Sequence, residues 1–404
     1  MLKSSNSKRL VITVAAMAAA VTPLLAGSAS ADPKQLTAFV GVGSDTTQDV
    51  VNALAGESNG ILYTPVASSA ASGRVQIVSY NALNPTNPAD SCFTPTPGGP
   101  TTQRPNGSGS GQKALSRAIA GGGWGVAACG GVQDVSGLIQ FSRSSSGPSN
   151  AVGTDLTFIP FGRDALSFAY YRAGGNGGPV TTLTRQQLQS LYSGGNGSSL
   201  SVSNGTENVT IIACGIQTGS GTYNFWRGTA LGVTAAQDDT ATSVCNALGT
   251  GVRLEENDAA GLKAKGDLVP AGTQVIIGFS ASSFVAKSNG VSSNNPATSN
   301  VGLGSISDNG SGVNLGSPVT GVAPNMAPQA TFYNSSIFGR NVYNVLPTAF
   351  ATGAGNNDYK SLFVGSTSAI CQATTTIQTF GYLTLGANCG TTILQGGLVA
   401  GSNN

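Results

Sequence analysis

The chain has 404 residues, of which only 9% are charged and none is histidine. That removes Ser-His-Asp and Cys-His hydrolases, histidine-ligated zinc and the commonest general base, and leaves carboxylate glycosidases and binding proteins standing. A formal charge of +2, with 40% apolar residues, describes a folded chain without the basic surface that nucleic acid requires.

The first 31 residues read as a signal peptide. Lys3, Lys8 and Arg9 precede an apolar run from Leu10 to Leu25, and Ala29-Ser30-Ala31 gives the small-x-small pattern of a cleavage site before Asp32. No cysteine at that point suggests a lipid anchor, and no later stretch is long and apolar enough to span a bilayer. A secreted or extracytoplasmic protein is expected, with no membrane insertion after cleavage. Cleavage leaves 16 basic against 17 acidic residues. Six cysteines in an exported chain suggest disulfides, and fifteen pairings are possible. Short loops close most readily, which favours Cys92–Cys129, Cys214–Cys245 and Cys371–Cys389. No zinc spacing is present, and neither metal nor cofactor is expected.

Leu36 to Val42 reads as a strand running into the polar turn Gly43-Ser44-Asp45-Thr46-Thr47, with helix from Asp49 to Leu54. Residues 84–106 read as an exposed loop. Gly107-Ser108-Gly109-Ser110-Gly111 is a second small turn, opening a helix from Gln112 to Ala120; Ala114 after Lys113 excludes a Walker loop. Val135 to Phe141 is an expected strand, followed by the turn Ser142-Arg143-Ser144-Ser145-Ser146. Two apolar runs between Leu156 and Tyr171 are split at Gly162-Arg163-Asp164. Leu183 to Tyr192 reads as a helix capped by Thr184. Val209 to Cys214 is a strand, followed by Gly219-Ser220-Gly221-Thr222 and an aromatic helix face. Val275 to Phe279 is another strand, residues 287–318 a surface insertion, and Ile337 to Val345 and Ile377 to Leu385 are late apolar runs. Strand, polar turn, helix, repeated, predicts an α/β protein with a mixed, mostly parallel sheet and a ligand outside the strand ends, where helix N-termini converge.

The turns at 41–46, 107–113, 141–145 and 219–222, with the segment Leu183–Gly194, resemble in order the phosphate-binding proteins of bacterial ABC importers, of the periplasmic-binding-protein type II superfamily. The resemblance implies two lobes and a hinge. Lobe one would comprise residues 32–160 and 279–404, the latter with the Ser/Asn/Gly-rich insertion, and lobe two residues 161–278. The implied ligand contacts are Ser44, Asp45, Thr46, Ser108, Gly109, Ser110, Arg143, Ser144, Ser145, Gly219, Ser220, Gly221 and Thr222. The chain departs from the family where Ile216 replaces an arginine and Ser145 an aspartate. Arg143 and Asp45 are the expected relocated charges. The function implied is capture of phosphate or a similar oxyanion for uptake, with an ABC permease as a possible partner and no catalytic residue. Alternatives are a cell-surface or matrix protein using the same fold without transport, and a glycosidase using Glu255, Glu256 and Asp258 or Asp238 and Asp239. Those acids read better as a solvated cluster.

Overall fold

The computed structural model describes residues 38–68, 76–84, 87, 89–195 and 197–401. The expected signal peptide and the start of the first expected strand, Leu36 and Thr37, lie outside them. Eight strands order the central sheet: β1 (Phe39–Gly43), β2 (Ile77–Ser79), β3 (Phe141–Ser144), β4 (Leu156–Arg172), β5 (Ser199–Ser203), β6 (Asn208–Ala213), β7 (Gln274–Ser280) and β8 (Gly339–Pro347). They lie in the order β5-β6-β7-β4-β8-β3-β1-β2, and the short strands Gly302–Leu303 and Leu394–Gly396 also pair with β4. β1 is parallel to β2 and β3, and β6 to β7. The pairs β3–β8, β8–β4, β4–β7 and β5–β6 are antiparallel. The class is α/β with a mixed sheet. The helices that matter below are α1 (Gln48–Ala55), α2 (Ser108–Ala120), α3 (Arg185–Ser193), α4 (Gly221–Asn224), α5 (Ala259–Gly266) and α6 (Ala281–Ser288).

β4 joins the two ends of this sheet. Its two apolar runs form one strand of 17 residues rather than two. The break at Gly162 is absorbed as a register irregularity between Pro160 and Gly162, where a proline without an N–H can sit. Residues Leu156–Ala165 pair with β8, and Leu166–Arg172 pair with β7.

Successive strand residues point to opposite faces, so each half of the sheet carries two cores. In the β1–β3 half, Phe39, Val51, Phe141 and Phe161 pack on one face, and Val40, Val42, Leu115 and Phe158 on the other. In the β5–β7 half, Leu166, Phe168, Ile211 and Ile276 face one way, and Ala169, Val275, Ile277 and Leu262 the other. Burial on both faces is why β1, β4 and β7 are apolar runs instead of alternating patterns, whereas β5 alternates.

Some elements differ from the sequence reading. Val135 to Gln140 is no strand, because the chain turns at Gly137 (φ 67°); the strand is Phe141–Ser144, taking in three residues expected in the turn. α2 begins at Ser108, so most of the second Gly/Ser turn is already helix, with Gly107 before it. Residues 287–318 are not merely a surface insertion: Ile306 is fully buried, and Ser305–Asp308 pairs with Thr182–Thr184. Thr184 caps α3 through a reciprocal capping box with Gln187. No helix among the described residues is long and apolar enough to cross a membrane.

The three disulfides expected from the sequence, Cys92–Cys129, Cys214–Cys245 and Cys371–Cys389, are all formed. Cys214 and Cys245 are completely buried, so this bridge ties the end of β6 to the short helix Ser243–Asn246 inside a core. Replacing both by serine should cost about 3–4 kcal/mol, the closure entropy of a loop of that length. Denaturant melts of the double variant measure it, and non-reducing peptide mapping should find no free thiol.

Candidate functional site

The four small turns meet where β4 passes from one half of the sheet to the other, beside the start of β8. From the β1–β3 half come the turn after β1, the start of α2 and the end of β3. From the β5–β7 half comes the turn before α4. The backbone N–H of Gly109 donates to Gly219 O at 3.0 Å. The hydroxyls of Thr46 and Thr222 lie 3.0 Å apart, and those of Ser108 and Ser145 3.3 Å apart. Ser145 N also donates to Ser108 Oγ at 3.0 Å. The approach is close enough to require glycine: a Cβ on Gly221 would lie 2.4 Å from Ser108 Oγ and 2.6 Å from Ser145 Oγ. Ser44, Ser108, Ser110, Ser144, Ser145, Ser220 and Thr222 are all buried. Ser144 stands slightly apart, accepting from Gln112 Nε2 at 3.2 Å and donating to Ser146 O.

Arg143 is in this neighbourhood but its head is committed to the chain's own backbone. Nε donates to Ser44 O (3.2 Å), Nη2 to Gly43 O (3.1 Å), and Nη1 to Gly41 O (3.5 Å) and Ser79 Oγ (2.8 Å). It is fully buried, and burial pulls its pKa down to about 9 although Asp45 and Asp49 oppose that. Its geometry is that of a brace for the β1 turn.

A second cation, Arg340, reaches a hydroxyl of the last turn, and sequence reading missed it. It lies on β8 directly opposite Asp164 on β4. Its Nε and Nη2 donate to Asp164 Oδ2 at 3.0 and 2.8 Å, and Nη2 also donates to Thr222 Oγ1 at 2.9 Å. Asp164 Oδ1 accepts from Ser280 Oγ (2.9 Å) and Ser282 N (3.1 Å) at the start of α6. Arg340 is 4% exposed, and its Nη1 has no hydrogen-bond partner, like the buried hydroxyls of Ser44 and Thr47. The one sequence signal was Asp164 beside the glycine that splits β4, a charge in an apolar strand.

The segment Leu254–Asp258 also reaches the junction, although its acids read from the sequence as a solvated cluster. Glu256 is 3% exposed, not solvated. Its Oε2 accepts from Ser220 Oγ and its Oε1 from Thr46 N at 3.2 Å. Glu255 Oε2 accepts from Asn106 Nδ2 at 3.0 Å. Asn257, at φ 60°, donates through Nδ2 to Thr46 Oγ1 (3.3 Å) and accepts Ser280 N (3.0 Å) on Oδ1. Asp258 caps α5. Of the other acid pair, Asp238 and Asp239 both contact Arg253, whose Nη1 also donates to Ile216 O at 3.0 Å. Ile216 itself is core.

Beside the junction lies a cavity of about 670 Å³. Asp45, Asp49, Glu255, Glu256 and Asp258 line it, and Lys287 is its one basic residue among the described residues. Burial, with help from the Glu256 charge and against Lys287, pushes Asp45 up to about 8. Burial raises Glu255 as well, against its hydrogen bond from Asn106. The described residues contain no group of three or more His, Cys, Asp or Glu side chains able to hold a metal ion.

No protein-family model matches the chain. No curated protein matches it either. Solved structures do. A possible phosphate-binding protein from Planctomyces limnophilus aligns over 87% of this chain and 94% of its own, at 13% identity and a TM-score of 0.39. PstS from Borrelia burgdorferi aligns over 86% and 98%, at 12% identity and 0.37. The phosphate-binding protein of Stenotrophomonas maltophilia aligns over 87% and 92%, at 14% identity and 0.41. Likeness of this degree does not carry a ligand from one chain to another.

The raised pKa of Asp45 has a testable consequence. Its acid binds protons more tightly folded than unfolded, so it subtracts stability as pH rises from about 4 to about 8. Asp45→Asn should therefore be more stable than the parent at pH 8, by about 1–3 kcal/mol, with the advantage vanishing towards pH 4. Urea melts across that range read it directly.

Proposed function

We propose that this chain is an exported solute-binding protein that takes a small oxyanion of the phosphate type between two lobes, residues 32–160 with the end of the chain and residues 161–278 with 301–338, which pack on them, hinged where β4 passes from one to the other. The single observation behind this reading is the junction, where turns from both halves of the sheet bring hydroxyls and backbone N–H groups together. Donors at the start of a helix of 13 residues suit an anion, as does a buried guanidinium with an unused N–H. Export rests on the signal sequence, and a membrane permease is the partner that an uptake role requires.

Binding needs shape and donors, and no reacting group. The glycosidase reading keeps only Glu255 of its candidates, one carboxylate where two are needed: Asp238 and Asp239 contact Arg253, Asp258 is a helix cap, and Glu256 is held between Ser220 and Thr46. A second binding reading is favoured by the acidic lining of the adjoining cavity, which suits a neutral or cationic polar solute.

Isothermal calorimetry against phosphate, arsenate and sulfate, with neutral sugars and small amines alongside, tests the proposal. Phosphate should bind one to one. Arg340→Lys keeps a charge beside Asp164 but loses the planar fork, and should weaken phosphate by about one to two orders of magnitude. Heat from sugars or amines, and none from the oxyanions, would establish the second reading instead.

A further inference from the structure

The donors that an oxyanion would use are not idle. Ser220 Oγ accepts the N–H of Tyr223 at 3.0 Å, which directs its own proton outward, and that proton goes to Glu256 Oε2. Thr46 N, from the other half of the sheet, goes to Glu256 Oε1. One carboxylate thus accepts from both halves. It is nine-tenths buried and carries the planar, two-oxygen acceptor geometry of half an oxyanion. Neighbouring contacts hold it in place: Asn106 restrains Glu255, Asn257 bonds Thr46 and Ser280, and Asp258 starts α5. The segment that carries it belongs to the β5–β7 half, since Leu254 bridges Ile216 and Gln217 N donates to Leu254 O at 2.8 Å.

We propose that Glu256 is a tethered anion that fills part of the oxyanion site and sets its affinity, so that a free oxyanion binds only by displacing this carboxylate. This rests on the solute-binding reading above and names the residue that limits it. A dianion placed against Ser220 and Thr46 would meet the Glu256 charge at contact distance, and the two cannot share the same donors. Displacement must also break a clasp between the two halves. Glu256 is therefore a specificity residue as well: it opposes doubly charged ligands more than singly charged ones.

The test is calorimetric titration of phosphate into the parent and into Glu256→Gln, which keeps the shape and removes the charge. The variant should bind phosphate ten to a hundred times more tightly, since one or two charge-assisted hydrogen bonds no longer compete. Glu256→Asp keeps the charge on a shorter arm that cannot span both donors, and should fall between the two. It also serves if the glutamine variant does not fold. Sulfate, a dianion at all accessible pH values, should gain at least as much as phosphate. If the parent binds phosphate and the variants bind it equally or more weakly, the tethered-anion proposal is wrong while the solute-binding reading stands. If neither parent nor variants take up any oxyanion, both fail together.

Discussion

The ion pair between Asp164 and Arg340 is the constraint on which the rest of the site depends. It sits at directly paired positions of β4, the strand that joins the halves of the sheet, and of its neighbour β8. Both oxygens of the carboxylate are used, two donors coming from Arg340, one from the Ser280 hydroxyl and one from the N–H of Ser282. Burying two charges is unfavourable unless each is paired and hydrogen-bonded, and here the partners are drawn from β4, β7, β8 and α6 at once. Those elements can keep their charges satisfied only in this arrangement. The guanidinium is thereby held beside Thr222, with its Nη1 group left over.

From that fixed point the turns follow. Thr222 touches Thr46, whose carbonyl accepts the Tyr382 hydroxyl at 2.6 Å, and Tyr382 packs against Gly162 where β4 is irregular. Arg143 braces the same turn from below by binding three of its carbonyls. The two arginines divide the labour expected of one. Arg143 stabilises the backbone that presents the donors, and Arg340 supplies positive charge to the place where the donors meet. A lysine could not replace Arg143, because a single ammonium cannot reach divergent carbonyls and a serine hydroxyl from one position.

Much of this was legible in the residues, and the misses have physical reasons. The four turns were visible because small polar residues after apolar runs have few other uses. The disulfides were visible because sequential pairs close short loops. Arg340 was not, since one arginine inside an apolar strand carries no pattern, and its partner lies 176 positions away. Glu256 was misread because neighbouring acids are usually solvated, and burial depends on what a distant turn places on top of them. The strand at Phe141–Ser144 was displaced for a similar reason. Its polar residues look like loop, yet Ser142 and Arg143 are paired on both sides, to β1 and to β8, and their polar groups are buried against neighbours that local sequence cannot reveal.

The clasp bears on how occupancy would be read from outside. A ligand moves a two-state equilibrium only by the difference in its affinity for the two states. In a cleft held shut by ligand alone, closure reports that ligand is present. Here Glu256, the Thr46–Thr222 contact and the Gly109–Gly219 bond join the halves through the chain's own groups. A ligand that replaces Glu256 gives up the contacts it displaces, so its net contribution to closure is smaller than its gross one. On the proposed reading, the shape of the protein would distinguish bound from free less sharply than in a cleft without a clasp.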